Sequence, residues 1–323
     1  MNNQTITVGG FLDTWLETVI KSSVRYSTYT AYLGYINNHI KRHIGNVLII
    51  ALKPIMVQEF VAKLTEEGRI GARTIGIIIR MMSHAFCYAE DYDIIVKNPC
   101  RRIRMPKVED EEVEIFTECE QTKIEKAVFA AGIKDSRYYG ILFTLYTGLR
   151  IGELCALRWE NIDYKNRCLY IKKSMKRAAR NDNSGKKTMM IEGEPKTRKS
   201  KRIIQLPDFI IKIFKKFQAE SNSEFVFSMK NGKFVHPRTM QMLHKKLLEM
   251  AGVNYNNFHV LRHTFATRAG ANSDVKTVSD TLGHSNAMIT INRYMHSQRE
   301  QKQRMMNGLN TYFKNKKILC LSK

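Results

Sequence analysis

The chain has 323 residues, which is long for one compact domain and fits two. Hydrophobic residues make up 43% of it and charged residues 26%, values that exclude a collagen-like, disordered or membrane protein. No apolar run approaches the roughly 20 residues that span a bilayer, and the start of the chain lacks a signal-peptide pattern. Because the six cysteines form no C-x-x-C pair, we expect a cytoplasmic protein without structural zinc.

Positive charge dominates the composition. The chain has 53 Lys and Arg against 30 Asp and Glu, a formal net charge of +23. The part up to Lys107 has 14 basic and 8 acidic residues, and the part after it has 39 and 22, so both parts are basic. Such an excess favours polyanionic partners, and we expect nucleic acid rather than a membrane surface.

Residues 1–107 predict a small helical bundle. Apolar periodicity and end signals place helices over about 8–20, 28–41, 54–67 and 73–90. The second of these helices has an apolar stripe formed by Tyr29, Tyr32, Leu33, Ile36 and Ile40. The stripe is either part of a packed core or a source of aromatic contacts to DNA, and the sequence leaves both interpretations open.

An acidic linker is predicted over residues 108–116. The segment NPCRRIRMP, which carries two prolines, precedes it. Seven acidic residues then lie between Glu109 and Glu120, with no Lys or Arg among them. Such a segment favours exposure to solvent and is repelled by phosphate.

Residues 117–323 predict a second domain that mixes helices with a few strands. Helices are expected over about 117–131, 136–147, 150–157, 208–219, 237–250, 259–270, 275–282 and 287–295. Short strands are expected over 168–173, 201–206 and 225–227, and a basic tail over about 297–323. The predicted fold class is therefore mainly α with a small antiparallel β-sheet: a helical bundle followed by an α+β domain.

A strongly basic β-hairpin is predicted over about residues 168–206. Between Lys172 and Arg202 the sequence has 12 basic and 3 acidic residues. A charge run of this kind is either a solvated loop or a hairpin that contacts DNA, and the overall basicity favours the second interpretation. The predicted DNA-binding residues are Lys172, Lys173, Lys176, Arg177, Arg180, Lys186, Lys187, Arg198, Lys199, Lys201 and Arg202.

Four short stretches carry candidate chemistry: TGLRIGEL at 147–154, PKTRKSKR at 195–202, HVLRH at 259–263 and LGHSNAMITINRYMH at 282–296. In this order they resemble the tyrosine recombinase family, which includes phage integrases and Xer-type site-specific recombinases. The resemblance covers nearly the whole sequence. STYTAYLGYINNHIKRHIG looks like the family's helical core-binding domain, and residues from about 115 onward look like its catalytic domain.

The resemblance implies a set of catalytic residues. The T-G-x-R-x-x-E-L and H-x-x-R-H stretches of the family match those of this sequence, and its L-G-H stretch and tyrosine nucleophile fall within residues 282–296. The lysine of the family's hairpin is similar to Lys196, although Lys199 and Lys201 lie close by. The implied catalytic residues are Arg150, Lys196, His259, Arg262, His284 and the nucleophile Tyr294.

The chemistry of a phosphodiester explains why these residue types belong together. Its pentacoordinate transition state gains negative charge, which the guanidinium groups of Arg150 and Arg262 stabilise from a planar fork. A tyrosine with an ordinary pKa of about 10 needs nearby cations and a base such as His259. Lys196 is the candidate acid that protonates the leaving 5′ oxygen. The family resemblance implies no metal, no ATP and no other cofactor.

The function that the resemblance implies is site-specific DNA recombination through a 3′-phosphotyrosine intermediate, for integration or excision of a phage or conjugative transposon. The alternatives are an Xer-like resolvase of chromosome or plasmid dimers, a type IB topoisomerase, and a DNA-binding regulator without catalysis. The implied partners are duplex DNA with recombination sites, a homotetramer in the synapse, and a directionality factor or DNA-bending protein.

Overall fold

The computed structural model describes residues 5–108, 114–179, 188–194, 201–283 and 306–307. The chain divides into two compact units. The first comprises Met1–Glu111 with Arg177–Met189, and the second comprises Glu112–Lys176 with Met190–Lys323. Within the described ranges, no helix combines the length and the apolar character that crossing a bilayer requires.

Six α-helices are described in the first unit: α1 (Val8–Trp15), α2 (Lys21–Ser23), α3 (Tyr26–Tyr35), α4 (Lys41–His43), α5 (Pro54–Glu67) and α6 (Ala72–Asp91). Two π-helical turns, Leu16–Ile20 and Ile36–Ile40, connect α1 to α2 and α3 to α4. A 3-10 turn, Ile49–Ala51, precedes α5. The predicted helices over 8–20 and 28–41 are therefore present and extend by a few residues.

Local sequence signals fix the ends of these helices. Thr7 caps α1, because its hydroxyl accepts a hydrogen bond of 3.2 Å from the backbone N–H of Gly10. Pro54 occupies the first turn of α5, and Gly68 ends that helix in the left-handed region with φ of 63°.

The apolar stripe on α3 packs within the first unit. Ile36 and Ile40 are fully buried in its core. The ring of Tyr32 stacks on that of Trp15 with centroids 6.3 Å apart, and the hydroxyl of Tyr29 donates a hydrogen bond to Glu17. The core interpretation of the stripe is therefore confirmed for Ile36 and Ile40, whereas Tyr29 and Tyr32 pack against the core and stay partly exposed.

The second unit contains α7 (Glu118–Gly132), α8 (Tyr139–Thr147), α9 (Ile151–Cys155), α10 (Asp208–Ala219), α11 (Pro237–Ala251), α12 (His259–Asn272) and α13 (Val275–Leu282). Its strands are β1 (Ile162–Asp163), β2 (Cys168–Ile171) and β5 (Arg202–Gln205), and two further strands are β3 (Ser174–Ala179) and β4 (Thr188–Gly193). Two 3-10 turns, Ser136–Tyr138 and Trp159–Asn161, precede α8 and β1. The predicted class, mainly α with small antiparallel sheets, is confirmed.

The predicted hairpin is built from two sheets. β2 lies between β1 and β5 in a three-stranded antiparallel sheet, with Leu169 opposite both Ile162 and Ile204. β3 pairs with β4 in a separate two-stranded sheet. The strand predicted over 225–227 is not formed; there, Phe225 makes an isolated β-bridge with Arg158.

Phe116, which the sequence assigns to the end of the linker, belongs to the core of the second unit. Its ring is fully buried. Its backbone N–H donates to the hydroxyl of Thr264 at 3.0 Å, and its carbonyl accepts from Arg268 at 3.1 Å. The chain is therefore fixed to this unit two residues before α7 begins. The domain boundaries themselves stay a prediction.

Candidate active site

The turn between α8 and α9 positions Arg150. α8 ends at Thr147, and Gly148 follows it in the left-handed region with φ of 65°. A Cβ at Gly148 would lie 2.5 Å from the ring carbon Cδ1 of Phe265, so both the backbone and the available space require glycine. Arg150 then adopts an extended conformation and precedes the first residue of α9. The T-G-x-R pattern thus fixes this arginine at the start of a helix.

Glu153 is a buried carboxylate in the first turn of α9, with its side chain 2% exposed. Its Oε2 accepts from the backbone N–H of Arg150 at 3.0 Å, and its Oε1 accepts from Nη1 of Arg150 at 2.9 Å. Arg202, the first residue of β5, donates from Nη1 to Oε1 at 3.0 Å and from Nη2 to Oε2 at 2.9 Å. Two arginines therefore share one carboxylate, and the three side chains together retain one positive charge.

The ionisation of Glu153 depends on these arginines. Burial raises the pKa of the Glu153 carboxyl, but the charge and hydrogen bonds of Arg202, together with those of Arg150, outweigh that effect and hold the pKa below its usual range. The carboxylate is therefore ionised at neutral pH. A buried carboxylate of this kind fixes the orientation of Arg150 and also offsets part of its charge.

Arg262, on α12, connects two distant turns. Its side chain is only 1% exposed. Nη1 donates to the carbonyl of Gly148 at 2.6 Å, and Nη2 donates to the carbonyl of Leu282 at 2.7 Å. The arginine of the H-x-x-R-H stretch thus joins the turn before Arg150 to the end of α13.

The end of α13 is the point where three arginines meet. The carbonyl of Thr281 accepts from Nε of Arg202 at 2.6 Å, that of Leu282 from Arg262, and that of Gly283 from Nη2 of Arg150 at 3.1 Å. The last carbonyls of a helix have no partner within the helix and form the negative end of its dipole, so cations are favourable there. Three separate segments of the sequence thereby bring positive charge to the three residues that precede His284.

His259 begins α12 on the same side of the helix as Arg262, because three residues separate them. The side chain of Asn257 accepts from the backbone N–H of His259 at 2.9 Å. The ring of His259 is exposed and meets that of His263 edge-on, with centroids 4.5 Å apart. A solvent-accessible imidazole one turn from a fixed guanidinium suits proton transfer at a bound phosphate.

The structure brings some of the predicted catalytic residues together. Arg150 and Arg262 converge at the end of α13, and His259 lies one turn from Arg262. The remaining predicted catalytic residues, Lys196, His284 and Tyr294, lie outside the described residues.

The predicted DNA-binding residues differ in exposure where they are described. Lys172, Lys173, Arg177 and Lys201 are exposed, and Lys176 is half-buried. Arg202 is the exception, because its side chain is 5% exposed and faces Glu153 and Thr281. Arg180, Lys186, Lys187, Arg198 and Lys199 lie outside the described residues.

Acidic residues of the hairpin offset part of its positive charge. Glu192, on β4, accepts from Nε and Nη2 of Arg158 at 3.1 and 2.8 Å and from Nζ of Lys173 at 3.2 Å. Lys201 forms an ion pair of 2.6 Å with Glu194. The exposed cations of this segment are therefore partly paired before any polyanion is bound.

Arg202 was predicted to be an exposed DNA-binding residue like the other cations of the hairpin. The alternation of buried and exposed residues along β5 is the sequence signal that could have placed its side chain inside. Alternate residues of a strand point to the same side. Ile204, two residues later, is buried, whereas Ile203 is exposed. Arg202 therefore shares the inward side of β5, where an arginine requires a buried partner.

Two family models match the chain. The model described as phage integrase family matches residues 108–301. The model described as phage integrase, N-terminal SAM-like domain, matches residues 7–65. The first thus covers most of the second unit, and the second covers more than half of Met1–Glu111 in the first unit.

Individual relatives agree with these matches. A "Tyrosine recombinase XerC-like" protein of Caldanaerobacter subterraneus subsp. tengcongensis is 32% identical over 96% of this chain and 84% of its own length. The "Transposase from transposon Tn916" of Enterococcus faecalis is 26% identical over 90% of this chain and 74% of its own. A solved structure of the Tn1549 transposon integrase in complex with a circular intermediate DNA has the same fold, with a TM-score of 0.79, 22% identity and coverage of 94% of this chain and 99% of that one.

Proposed function

Since the chain belongs to the phage integrase family of tyrosine recombinases, and is thus an enzyme that cleaves and rejoins DNA, we propose that it acts through a covalent bond between Tyr294 and a DNA 3′ phosphate. The observation that carries this proposal is the convergence of Arg150 and Arg262 at the end of α13, directly before His284. Fixed guanidinium groups from two distant segments form a site for an anion that gains charge as it reacts.

The two arginines contribute differently to the reaction. Arg150 is 37% exposed, so its guanidinium is accessible to a phosphate oxygen. Arg262 is almost fully buried, and its charge acts in surroundings where Coulomb interactions are less screened than in water. In the proposed site Arg150 contacts the scissile phosphate, and Arg262 stabilises both the charge and the backbone turns that hold Arg150.

Each step of the proposed reaction breaks one phosphorus–oxygen bond and forms another, so that the phosphate remains a diester. The phenolic oxygen of Tyr294 attacks phosphorus, and the bond from phosphorus to the 5′ oxygen breaks. His259 and His284 assist removal of the phenolic proton and bind the phosphate, while Lys196 donates a proton to the departing 5′ oxygen. The reverse attack by a 5′ hydroxyl of the partner duplex rejoins DNA and releases Tyr294. This balance requires neither an oxidant nor ATP.

The proposed substrate is duplex DNA with specific recombination sites. The exposed cations between Lys172 and Lys201 suit the phosphate backbone, and such contacts position a protein on DNA without reading its sequence. Exchange between two duplexes breaks four strands, and each cleavage needs one tyrosine. We therefore propose a homotetramer in the synapse, assisted by a directionality factor or a DNA-bending protein.

Integration or excision of a mobile element is the biological role that we propose first. The relative named as a transposase of Tn916 and the Tn1549 integrase structure support this choice. Resolution of chromosome or plasmid dimers is a second candidate, because the relative that is 32% identical bears an XerC-like name. Attachment-like repeats at the ends of a DNA element that contains the gene favour the first role, and their absence together with a single chromosomal site favours the second.

The nucleophile is tested with a nicked suicide substrate that carries the recombination site and traps the covalent intermediate. Y294F is expected to bind this DNA and to form no covalent adduct, because it lacks the attacking oxygen. Y312F, which removes a phenol further along the C-terminal segment, serves as the matched control and is expected to form the adduct as the wild type does. If Y294F forms the adduct, or if Y312F alone fails to form it, the assignment of Tyr294 as the nucleophile is wrong.

A further inference from the structure

Arg202 occupies a place in the site that the proposed reaction does not explain. Its side chain is 5% exposed, and it forms a two-pronged ion pair with Glu153. A third bond joins its Nε to the carbonyl of Thr281. A residue so deeply buried is poorly placed to contact a DNA backbone, although it lies in the most basic segment of the chain.

The charge balance around Glu153 gives Arg202 a role. Glu153 also accepts from the side chain and the backbone of Arg150. With Arg150 as its single cationic partner, this carboxylate would neutralise the guanidinium that faces the phosphate. Because Arg202 supplies a second guanidinium, the carboxylate orients Arg150 while the group keeps a net positive charge.

The geometry points to Arg202 as a positioning residue for DNA cleavage, which holds Glu153 and offsets its charge so that Arg150 remains oriented and cationic toward the scissile phosphate. This inference rests on the proposed function. Arg202 acts through Glu153 and does not itself touch DNA, in contrast to the exposed lysines around it.

The electrostatic surroundings of Glu153 support the inference. The cations that the described elements place around it are Arg150 before α9, Arg202 on β5 and, at the neighbouring carbonyls, Arg262 on α12. Burial raises the pKa of Glu153, and Arg202 is the largest influence that lowers it. When Arg202 is removed, the pKa of this carboxyl is expected to rise. Once the carboxyl is protonated, it no longer neutralises the charge of Arg150.

The central experiment measures single-turnover cleavage of the suicide substrate by the full chain. R202Q is expected to cleave about 100-fold more slowly than the wild type while it binds the same DNA with unchanged affinity, because a displaced catalytic group costs rate rather than binding. In the double variant R202Q/E153Q, the uncompensated carboxylate is gone, and cleavage is expected to recover by about tenfold or more, since the two residues are coupled. Circular dichroism and thermal unfolding report the folded fraction of each variant.

The pH profile distinguishes positioning from a structural role. Cleavage by R202Q, relative to the wild type at the same pH, is expected to rise as the pH falls and Glu153 becomes protonated. R202Q/E153Q has no carboxyl at this position and is expected to show no such rise. R202K keeps one charge but lacks the planar fork, so an intermediate rate is expected.

The matched control uses an ion pair of the same type elsewhere in the second unit. Arg158 forms a two-pronged pair with Glu192. R158Q and R158Q/E192Q are expected to cleave at the wild-type rate without a change in pH profile. Because R158Q removes the same charge as R202Q, a general loss of basicity cannot account for a difference between them.

Several outcomes overturn the inference. The inference is wrong if R202Q cleaves at the wild-type rate. It is also wrong if R202Q loses affinity for DNA while its cleavage rate is unchanged. If R202Q does not fold, E153Q and R202Q/E153Q are compared, and a much slower double variant shows that Arg202 acts other than through Glu153. R150Q separates the two claims: if it cleaves normally the proposed function fails, and if it is inactive while R202Q is normal only the role of Arg202 fails.

Discussion

Two carboxylates of the second unit, Glu153 and Glu192, each accept hydrogen bonds from two cations, yet they lie in different surroundings. The Glu153 side chain is 2% exposed and the Glu192 side chain is 19% exposed. The partners of Glu153 also hold the end of α13, whereas those of Glu192 are Arg158, before the Trp159–Asn161 turn, and Lys173 in the hairpin. The buried Glu153 therefore fixes an arginine at the candidate active site, whereas Glu192 shares Arg158 with a second carboxylate, that of Glu224, away from that site.

Removal of each carboxylate is the strongest way to test this difference. E153A leaves Arg202 buried without a counter-charge, and we expect a loss of about 3–5 kcal/mol in the free energy of unfolding. E192A leaves Arg158 paired with Glu224 and leaves Lys173 exposed to solvent, so a loss of about 1 kcal/mol or less is expected. Urea unfolding of both variants measures the difference. Equal losses would show that burial does not distinguish the two groups.

His244, on α11, extends the comparison to a buried ionisable group that is uncharged at neutral pH. Its Nε2 has no hydrogen-bond partner among the described residues, and its ring meets those of Phe116 and Phe258 edge-on. Burial lowers the pKa of His244 to about 4 from an ordinary 6.5. The unfolded chain therefore binds a proton near pH 6.5, whereas the folded chain does so only near pH 4.

Stability is consequently expected to fall as the pH drops through that window, by about 3 kcal/mol in total. H244F keeps an aromatic ring and removes the ionisable group, so its stability is expected to change less between pH 7 and pH 4.5. The contribution of Glu153 is lost at lower pH. It is fully present above the ordinary carboxyl pKa of 4.5 and falls as the pH drops through the lowered pKa of the folded chain. Urea midpoints at several pH values check this, and parallel curves for wild type and H244F would contradict it.

Two glycines that end helices give a smaller and purely steric contrast. Gly148 and Gly252 both have a positive φ, of 65° and 61°. A Cβ at Gly148 would meet Phe265 and Leu282, whereas one at Gly252 meets nothing within 4 Å. We therefore expect G148A to cost about 1–3 kcal/mol more than G252A in unfolding free energy. Because the Gly148 carbonyl accepts from Arg262, G148A should also slow DNA cleavage, and equal effects of the two variants would argue against this packing.

Much of the fold could be predicted because local signals determine it. Pro54 and Gly68 delimit α5, and α10 occupies the residues over which the apolar periodicity predicted it. The sequence did not indicate the π-helical turns in the first unit or the division of the hairpin into two sheets. Both depend on packing and pairing between strands rather than on the residues of each segment alone.

The candidate site was predictable in its residue types and not in its connections. The motifs identified Arg150 and Arg262, and the structure brings them to the end of the same helix. The link from Arg202 to Glu153 joins residues 49 positions apart, and the link to Thr281 spans 79. No local pattern specifies such contacts, although the alternation in β5 indicates that Arg202 points inward. The roles of Lys196, His284 and Tyr294 stay predictions.

The central claim is that guanidinium charge stabilises the reacting phosphate, and one comparison of substrates tests it most directly. Wild type and R150A are compared in single-turnover cleavage of suicide DNA with either a normal scissile phosphate or an uncharged methylphosphonate, with R158A as the control for net charge. On the phosphate, R150A is expected to be about 100- to 1,000-fold slower than the wild type. On the methylphosphonate, the two proteins are expected to cleave at similar rates. An equal loss on both substrates would contradict the account.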